Sequence, residues 1–486
     1  MYISTLAEFL SILPECFLTI MVLLMILIGV LKKESSLNIT TYILIFSLAV
    51  AAYLVSLFPS QPTVSFNNFF IANAYTQFCK IIVILAVVFV VFMSFRHFQN
   101  DQLVQFEIPI LMLFSTIGMM LMISSNDLIS LFLGLELQSL ALYILIALPR
   151  DQILTTEAGL KYFILGSLST ALFLFGSSLL YALTGTTEFQ SLMTAFTEIP
   201  MTDPMLIVGI TMILSGLAFK ISLVPFHMWT PDVYEGSSTS ITSFLATAPK
   251  VAIFSVVVRL FIQFTEDHYF LWETAFIIFS ILSMFLGAFT ALFQKNYKRL
   301  LAYSTISHMG YILIGALSRN QAGVESILSY FVVYVFTIIG VFACLLNLRR
   351  NGKSINTIEE FANLSHEYPL IAAVMAILMF SLAGIPPFAG FFVKMNVFMV
   401  AIKSNYILLP LAGMIASVVA AFYYLRIIKI MYFNEAEKTL LSPGLDRYIS
   451  FETTIVMNMA ALIVIFYGLY PQAFLLILQN AAKALF

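Results

Sequence analysis

The chain has 486 residues, of which 61% are hydrophobic and only 10% are charged. Soluble domains carry about a quarter charged residues, so this composition excludes most soluble proteins. The 23 basic and 25 acidic residues give a formal net charge of −2, which offers no electrostatic attraction to a nucleic acid. The composition therefore predicts a protein that lies in a lipid bilayer.

Continuous apolar runs of about 18 to 25 residues are typical of transmembrane helices, whereas the strands of a membrane barrel would alternate. The sequence therefore predicts an all-α polytopic membrane protein. We expect about fourteen transmembrane helices, numbered as segments 1 to 14 and centred on residues 10–30, 39–58, 72–94, 108–125, 128–148, 158–182, 204–227, 241–263, 270–292, 300–317, 325–347, 368–390, 406–430 and 453–478. Segment 1 lacks the basic start and the cleavage site of a signal peptide.

The basic residues predict the orientation of the chain. Fourteen of them lie in loops that follow odd-numbered segments, and only Arg259, Arg319, Lys403 and Lys483 lie on the opposite side. Basic loops stay on the cytoplasmic or matrix side. We therefore expect both termini on the other side of the membrane, which is the intermembrane-space side in a mitochondrion.

Segments 7 and 12 carry a shared feature, a Pro-Phe pair inside an apolar helix. The pairs are Pro225–Phe226 in LAFKISLVPFHMW and Pro387–Phe388 in LAGIPPFAGFFVK, 162 residues apart. This spacing predicts two five-helix repeats, segments 4–8 and 9–13, each with a broken helix. Because five is odd, the second repeat is inverted, as in many transporters. The predicted divisions are an N-terminal group of three helices (1–100), the first repeat (101–265), the second repeat (266–435) and a C-terminal loop with segment 14 (436–486).

Two interpretations of these prolines stay open. Irregular backbone at membrane depth is tolerated where it lines a cavity or is buried in protein, which indicates a polar path. Alternatively, Pro225, Pro386 and Pro387 only kink helices that pack against their neighbours. Lys220 precedes the first pair by five residues and Lys394 follows the second by six, which favours the polar path.

Ionisable side chains occur where the centre of the bilayer is expected. Glu136 lies in segment 5, Lys220 in segment 7, Lys250 in segment 8 and Lys394 just after the break in segment 12, and His308 lies in segment 10. An ionised group at this depth costs about 2.5 to 3.5 kcal/mol on insertion scales. One glutamate cannot neutralise three lysines, and burial favours the uncharged amine. These lysines are therefore candidates for taking up and releasing protons.

The alternative for each of these groups is a structural role. Lys80 and Lys161 lie near segment ends, where an interhelical ion pair or a snorkelling side chain would satisfy them. A histidine in a membrane helix, such as His227 or His308, is often only a hydrogen-bonding partner. Trp229, which follows the first break, is expected to be an anchor at the membrane interface.

Motifs for the common cofactor and metal sites do not occur in this sequence. Cys16, Cys79 and Cys344 are far apart, which disfavours a disulfide framework or a zinc site. The sequence contains no Walker loop, no GxGxxG and no HExxH. We therefore expect no nucleotide, flavin or zinc-hydrolase site.

Four stretches carry a resemblance to a known family: FLGLELQSL, LAFKISLVPFHMWTPDVYEGSSTSITSFLATAPKVA, KRLLAYSTISHMGY and SLAGIPPFAGFFVKM. They closely resemble the antiporter-like membrane subunits of proton-pumping NADH:quinone oxidoreductase, respiratory complex I. The resemblance extends from about segment 4 to segment 13, and relatives also occur in multisubunit Na⁺/H⁺ antiporters. Lys394, where one of these subunits has a glutamate, and the short stretch after segment 14 favour the member nearest the quinone-binding end.

The resemblance implies which residues transfer protons. Glu136 would pair with Lys220, Lys250 would be the central lysine, and Lys394 would lie at the far end of the path. Supporting positions are implied for Lys161, His227 and His308. The resemblance also implies that this chain binds no cofactor or metal, because NADH, FMN, iron–sulfur clusters and ubiquinone bind other subunits. The implied partners are other membrane-arm subunits, the lipid bilayer and protons, with no nucleic acid.

The expected mechanism depends on Lys220. When Lys220 moves from Glu136 towards Lys250, like-charge repulsion favours loss of a proton from Lys250, and this proton passes to Lys394. Two alternatives stay open, a subunit of a multisubunit Na⁺/H⁺ antiporter and a non-conducting structural subunit. The Phe- and Ile-rich composition and the missing transit peptide favour the mitochondrial inner membrane, with a bacterial plasma membrane as the alternative.

Overall fold

A computed structural model of the chain describes residues 8–32, 36–57, 62–100, 105–263, 269–350, 353–434 and 450–486. Most of these residues are helical. The helices are α1 (Leu13–Lys32), α2 (Ser36–Ser56), α3 (Ala74–Asn100), α4 (Glu107–Ser124), α5 (Leu128–Ile146), α6 (Ile153–Thr184), α7 (Phe189–Phe196), α8 (Pro204–Ile221), α9 (Trp229–Gly236), α10 (Thr239–Ala246), α11 (Ala248–Gln263), α12 (Tyr269–Leu292), α13 (Tyr297–Ala316), α14 (Gln321–Leu346), α15 (Leu364–Glu367), α16 (Pro369–Ala383), α17 (Ala389–Lys403), α18 (Leu408–Phe433), α19 (Phe451–Leu469) and α20 (Gln472–Lys483).

Two short antiparallel hairpins accompany the helices in the described ranges. Strand β1 (Thr63–Ser65) pairs with β2 (Phe70–Ala72), so that Val64 is opposite Ile71. Strand β3 (Arg349–Arg350) pairs with β4 (Lys353–Ser354). The first hairpin lies between α2 and α3 and the second between α14 and α15, so both are connections outside the helical bundle.

The predicted fold class is confirmed. In the described part of the chain, twelve helical stretches are long and apolar enough to cross a membrane on their own, with α10 and α11 counted as one stretch. The two other predicted segments are α13, which is less apolar because it carries polar side chains, and segment 12, which is divided into α16 and α17. The protein is therefore an all-helical, multi-pass membrane protein.

The helices differ in how far they are enclosed. Helix α14 is buried along its whole length except at its first turn, and α10, α11 and α13 are buried almost completely. Helices α1, α2 and α6 instead expose many large apolar side chains. A helix that is apolar on all sides is stable in the core of a large protein or in lipid. The outer helices therefore face lipid or other subunits, and the inner ones enclose the polar residues.

Segments 7 and 12 are broken in the same way. Helix α8 ends at Ser222, which has a left-handed φ of +75°, and Pro225 follows; helix α16 ends at Gly384, which has a φ of +80°, and Pro387 follows. Proline cannot continue a helix because it lacks the N–H. Glycine suits position 384 because of this left-handed φ, and also because a Cβ atom there would lie only 3.1 Å from Cδ of Lys394. Both predicted breaks are therefore present.

The structure has a third break that the sequence analysis did not predict. Segment 8 was expected to be continuous over 241–263, but α10 ends at Ala246 and α11 begins at Ala248, with Thr247 between them. The physical reason is Pro249, whose ring would clash with the carbonyl four residues earlier in a continuous helix. Lys250 therefore lies in the first turn of a half-helix rather than in the middle of a long one.

The two predicted repeats share a pattern of helix packing. Helix α4 packs closely against α5, as α12 packs against α13. In both pairs a glycine allows the close approach, because a Cβ atom on Gly134 would lie 2.8 Å from the backbone of α4, and one on Gly310 would lie 2.9 Å from the backbone of α12. The boundaries of the repeats stay a prediction, and those at 101, 265–266 and 435–436 lie outside the described residues.

Candidate functional site

Lys250 lies at the C-terminal end of α8. Its side chain is buried, and Nζ donates to the carbonyl oxygens of Lys220 and Ile221, both at 3.1 Å, and to Oγ of Ser222 at 2.5 Å. The last carbonyls of a helix have no partner within the helix, and the helix dipole makes this end partly negative. The break in α8 therefore supplies the acceptors for Lys250, which forms no ion pair among the described residues.

Lys220 is also buried, and hydroxyl groups bind its ammonium group. Nζ donates to Oγ of Ser139 at 2.8 Å and to the Tyr143 hydroxyl at 3.1 Å, and it lies 5.5 Å from the centre of the Tyr143 ring. The expected partner of Lys220, Glu136, lies on α5 one turn before Ser139. Its carboxylate instead accepts a hydrogen bond from Thr170 at 2.6 Å. The structure therefore places Glu136 near Lys220 without an ion pair between them.

Glu136 is only partly buried, unlike the three lysines. It lies on a face of α5 whose other residues are apolar and exposed, among them Leu133 and Leu140. Because an ionised carboxylate in lipid is costly, this face of α5 fits a contact with another membrane subunit better than a contact with lipid.

Aromatic and hydroxyl side chains from α9 also contact the residues at the first break. The Trp229 ring lies 4.7 Å from Nζ of Lys250, and its Nε1 donates to the carbonyl of Phe219 at 2.9 Å. Thr230 donates to Ser222 at 2.7 Å. The expectation of an interfacial Trp229 is wrong, because the side chain is 1% exposed. Its hydrogen bond and its cation–π contact explain its position in the interior.

His308 lies between two tyrosines. Its Nδ1 is 2.7 Å from the Tyr330 hydroxyl, and its Nε2 is 3.2 Å from the Tyr424 hydroxyl, which also bonds to Ser304. A neutral imidazole donates through one nitrogen and accepts through the other. With a hydroxyl at each nitrogen, His308 can pass a proton from one side to the other by changing its tautomer.

Tyr334 connects this histidine with the first break. Its hydroxyl lies 3.1 Å from the carbonyl of Ala246 and 3.1 Å from Oγ1 of Thr305. Ala246 is four residues before Lys250, and Thr305 is three residues before His308. One tyrosine thus links the end of α10, just before the half-helix that carries Lys250, to the helix that carries His308.

Lys394 occupies the second break as Lys250 occupies the first. Its Nζ donates to the carbonyl of Leu382 at 2.8 Å and to Oγ of Ser417 at 3.4 Å, and it lies 5.1 Å from the centre of the Tyr311 ring. Leu382 is at the C-terminal end of α16, and Tyr311 is one turn beyond His308 on α13. The second break therefore also supplies backbone acceptors for a buried ammonium group.

We call Lys220, Lys250, His308 and Lys394 the central row. Sequence reasoning found these four residues but missed the hydroxyl groups between them, which belong to Ser139, Tyr143, Ser222, Thr305, Tyr330, Tyr334, Ser417 and Tyr424. The spacing of Ser304, His308 and Tyr311, which places them on one face of α13, was the available signal. In the described part of the chain, no three His, Cys, Asp or Glu side chains are close enough to hold a metal ion.

Lys161 is not in the central row. Its side chain is 43% exposed and forms ion pairs of 2.8 Å with Glu157 and with Asp232. Arg299 binds the same Asp232 at 2.7 Å and Glu235 at 2.8 Å. We call these five residues the rim cluster, since they line an open cleft of about 160 Å³. The predicted supporting residue thus lies at the surface end of α6.

The two basic side chains of the rim cluster favour the ionised form of Asp232. Burial raises the pKa of this group, but hydrogen bonds from Lys161 and Arg299 and the charges of both side chains lower it more. The pKa of Asp232 therefore lies below its ordinary value.

Two other predicted groups lie away from the central row. His227 is half-buried in the first break, and its Nδ1 has no hydrogen-bond partner among the described residues. Lys80 forms a buried ion pair with Glu15, with 2.5 Å between Nζ and Oε1. Sequence reasoning did not single out Glu15, because it lies close to the start of the chain and of segment 1.

Three comparisons identify the family. Residues 125–420 match the family of NADH:quinone oxidoreductase/Mrp antiporter transmembrane proteins. The chain is 42% identical over 483 residues to NADH-quinone oxidoreductase subunit N of Paramagnetospirillum magneticum, and the aligned residues are 99% of this chain and 98% of the relative. It is 43% identical over 486 residues to the subunit N of Parvibaculum lavamentivorans, with 99% of each chain covered. A chain in a structure of respiratory complex I from Thermus thermophilus superimposes with a TM-score of 0.81 at 27% identity, over 96% of this chain and 99% of that one.

The matched residues include the central row and both broken helices, and the two relatives extend over almost the whole chain. The resemblance noted in the four sequence stretches is thereby confirmed at the level of the family. The chain belongs to the NADH:quinone oxidoreductase/Mrp antiporter family of membrane proteins and is a relative of subunit N.

Proposed function

We propose that this chain is the subunit N of a respiratory complex I and moves protons across the membrane along the central row. This is the subunit that sequence reasoning placed nearest the quinone-binding end, subunit 2. The full-length relatives are named subunit N of NADH-quinone oxidoreductase. The observation that carries the proposal is the series of buried amine, hydroxyl and imidazole groups that lies between the two broken helices.

The acceptors of the lysines support a role in proton transfer. A buried lysine that is paired with a carboxylate is held in its charged state by that charge. Lys250 and Lys394 bind carbonyl and hydroxyl oxygens instead. A neutral amine retains N–H groups that can donate to these oxygens, so either lysine can lose a proton and keep hydrogen bonds in place.

The position of the Lys220 ammonium group controls the electrostatic repulsion at Lys250. The hydroxyl partner of Lys220, Ser139, and the carboxylate Glu136 are one turn apart on α5, so the ammonium group can exchange one partner for the other. Near Glu136 it is stabilised by the opposite charge. When it returns towards the end of α8, repulsion between like charges favours proton release from Lys250. The proton then passes through Tyr334 and His308.

The rim cluster is the proposed place of proton uptake. Asp232 faces the open cleft, and Thr230, two residues earlier on α9, bonds to Ser222, which in turn accepts from Lys250. Lys161 supports this site by holding Asp232 in place. His227, which lies in the same break, is proposed as a further supporting residue.

The oxidation of NADH and the reduction of quinone are proposed to occur in other subunits of the complex, where the flavin and the iron–sulfur clusters bind. The other membrane-arm subunits and the lipid are then the partners of this chain. The relatives named above come from bacteria, which favours the plasma membrane of a bacterium over the mitochondrial inner membrane. Their full-length match to subunit N favours complex I over a separate Na⁺/H⁺ antiporter.

The test uses two substitutions of Lys250 in the assembled complex. Lys250→Met removes the proton carrier, and Lys250→Arg keeps a positive charge at the end of α8 but cannot lose its proton. A positioned proton-transfer group contributes a factor of about 10² or more, so both variants should pump protons at least about tenfold more slowly than wild type. Pumping is measured as NADH-driven acidification of membrane vesicles. A Lys250→Arg complex that pumps like wild type would assign Lys250 a structural role.

A further inference from the structure

A second pair of ionisable groups lies outside the central row, between α1 and α3. Nζ of Lys80 is 2.5 Å from Oε1 of Glu15, and the two side chains are 5% and 3% exposed. The Lys80 ammonium group also lies 4.8 Å from the centre of the Phe70 ring. The second carboxylate oxygen of Glu15, Oε2, is buried and has no hydrogen-bond partner among the described residues.

This arrangement is a poor way to hold two helices together. A buried ion pair is on average no more stabilising than well-packed apolar side chains of the same volume. A buried acceptor without a donor adds the cost of removing that oxygen from water. An unsatisfied buried polar atom such as Oε2 of Glu15 therefore needs another explanation, and a functional role is one of the known ones.

Lys80 borders a small cavity near the start of α3. This cavity of about 20 Å³ is large enough for one water molecule, and its polar lining comes from Ser11, Asn73, Thr76 and Gln77. Lys80 is six residues after the start of α3, which corresponds to a depth of about 9 Å. This end of α3 is on the side of the membrane where both termini are predicted.

The opposite face of α3 contacts the helix of the central lysine. The Tyr75 hydroxyl donates to the carbonyl of Ser255 at 2.9 Å, and Ser255 follows Lys250 by five residues on α11. Helix α3 therefore touches the helix of Lys250 on one face and the helix of Glu15 on the other.

We propose that Glu15 and Lys80 form a proton-exchange site that serves proton release from the central row to the side of the termini. Lys80, which lines the cavity, gives a proton to Glu15 through their hydrogen bond and takes up another from water in the cavity, and the protonated carboxyl group then returns its proton to water at the surface. The Lys80 ammonium group at Oε1 then stabilises the ionised carboxylate again. The inference rests on the proposed function, since it needs a proton from the central row.

The first test is Glu15→Gln in the complete complex, which keeps the shape of the side chain and a hydrogen-bond acceptor for Lys80. We expect the variant to oxidise NADH with quinone at the wild-type rate but to move protons at least about threefold more slowly, because the amide cannot carry a proton. The matched control is Glu452→Gln, which removes the ion pair of 3.1 Å with Arg96 at the opposite end of α3. This control should pump like wild type.

The charge exchange Glu15→Lys with Lys80→Glu separates the proposal from a structural role if Glu15→Gln fails to assemble. The exchanged pair restores an attraction between α1 and α3 but moves the carboxylate away from its present place. We expect assembly to recover and pumping to stay low. Normal pumping by either variant would overturn the proposal. The Lys250 substitutions report on the proposed function independently, so failure of one inference is distinguishable from failure of the other.

Discussion

The two broken helices hold their ammonium groups differently. At the first break two lysines share the contacts, since Lys250 binds the carbonyls at the end of α8 and lies against the ring of Trp229, and Lys220 makes the contact with Tyr143 on α5. At the second break Lys394 makes both kinds of contact, to a carbonyl at the end of α16 and to the ring of Tyr311 on α13. Each break thus joins a helix end to the helix two segments earlier in its predicted repeat, with two cations in one case and one in the other.

This difference assigns different roles to the two breaks. A helix C-terminus has a partial charge of about −0.5, and together with hydroxyl groups and an aromatic ring it holds an ammonium group without a carboxylate. At the first break Lys250 binds the backbone carbonyl of a second buried lysine, Lys220, so a movement of the Lys220 side chain changes the electrostatic field at Lys250. The second break holds a single group and has no neighbouring lysine among the described residues. The first break is therefore suited to couple motion to proton release, and the second to receive the proton.

The largest expected difference between the breaks concerns assembly. Lys394→Met removes both the charge at the end of α16 and the contact with α13, whereas Lys220→Met leaves Lys250 in place at the end of α8. A cation at a helix C-terminus contributes up to about 2 kcal/mol in buried geometries, so Lys394→Met should lower the amount of assembled complex several-fold and also stop pumping. Lys220→Met should slow pumping with nearly normal assembly. Native gels and vesicle acidification measure the two effects.

The control for this comparison is Lys403→Met, which removes an exposed lysine from the last turn of the helix that carries Lys394. It should leave assembly and pumping unchanged. If Lys220→Met lowered assembly more than Lys394→Met, the proposed division of roles between the two breaks would be wrong.

The smallest expected effect is at the rim cluster. Asp232→Asn removes two ion pairs that are partly exposed, and exposed pairs contribute little to stability, so assembly should be normal. Glu157 and Glu235 still line the cleft and can take up protons, so pumping at neutral pH should fall by about twofold or less. Because the pKa of Asp232 lies below its ordinary value, its ion pairs stabilise the fold at all pH values above the unfolded pKa of about 3.9. This contribution is lost as the pH falls through the lower, folded pKa. The difference in thermal stability between wild type and Asp232→Asn should therefore be present at pH 7 and shrink below about pH 4; a difference that persists in acid would exclude this role of the carboxylate.

Much of the fold could be predicted from local sequence. The length of the apolar runs predicts the membrane-spanning helices. Pro225 and Pro387 predict the two breaks, because a proline lacks the N–H group and so interrupts the helix in which it lies. The break at Thr247 was missed although Pro249 carries the same signal. The apolar run over 241–263 hid it, since hydropathy does not register a missing hydrogen bond.

The partners of the buried groups could not be predicted in this way. The acceptors of Lys250 are carbonyls that become available only where α8 ends, and Tyr424 reaches His308 from 116 residues away in the chain. Lys161 was assigned to the polar path, but its position near the start of a long helix leaves it at the surface. Such contacts depend on tertiary packing, so a sequence indicates which groups are buried more reliably than what they touch.

The most direct test of the account is a cryo-electron microscopy map of the assembled complex at a resolution that shows ordered water. The account predicts waters or direct hydrogen bonds that join Lys250 to His308 through Tyr334, and His308 to Lys394. A map in which the space on both sides of His308 is closed by apolar side chains, with no water between the lysines and the histidine, would contradict it.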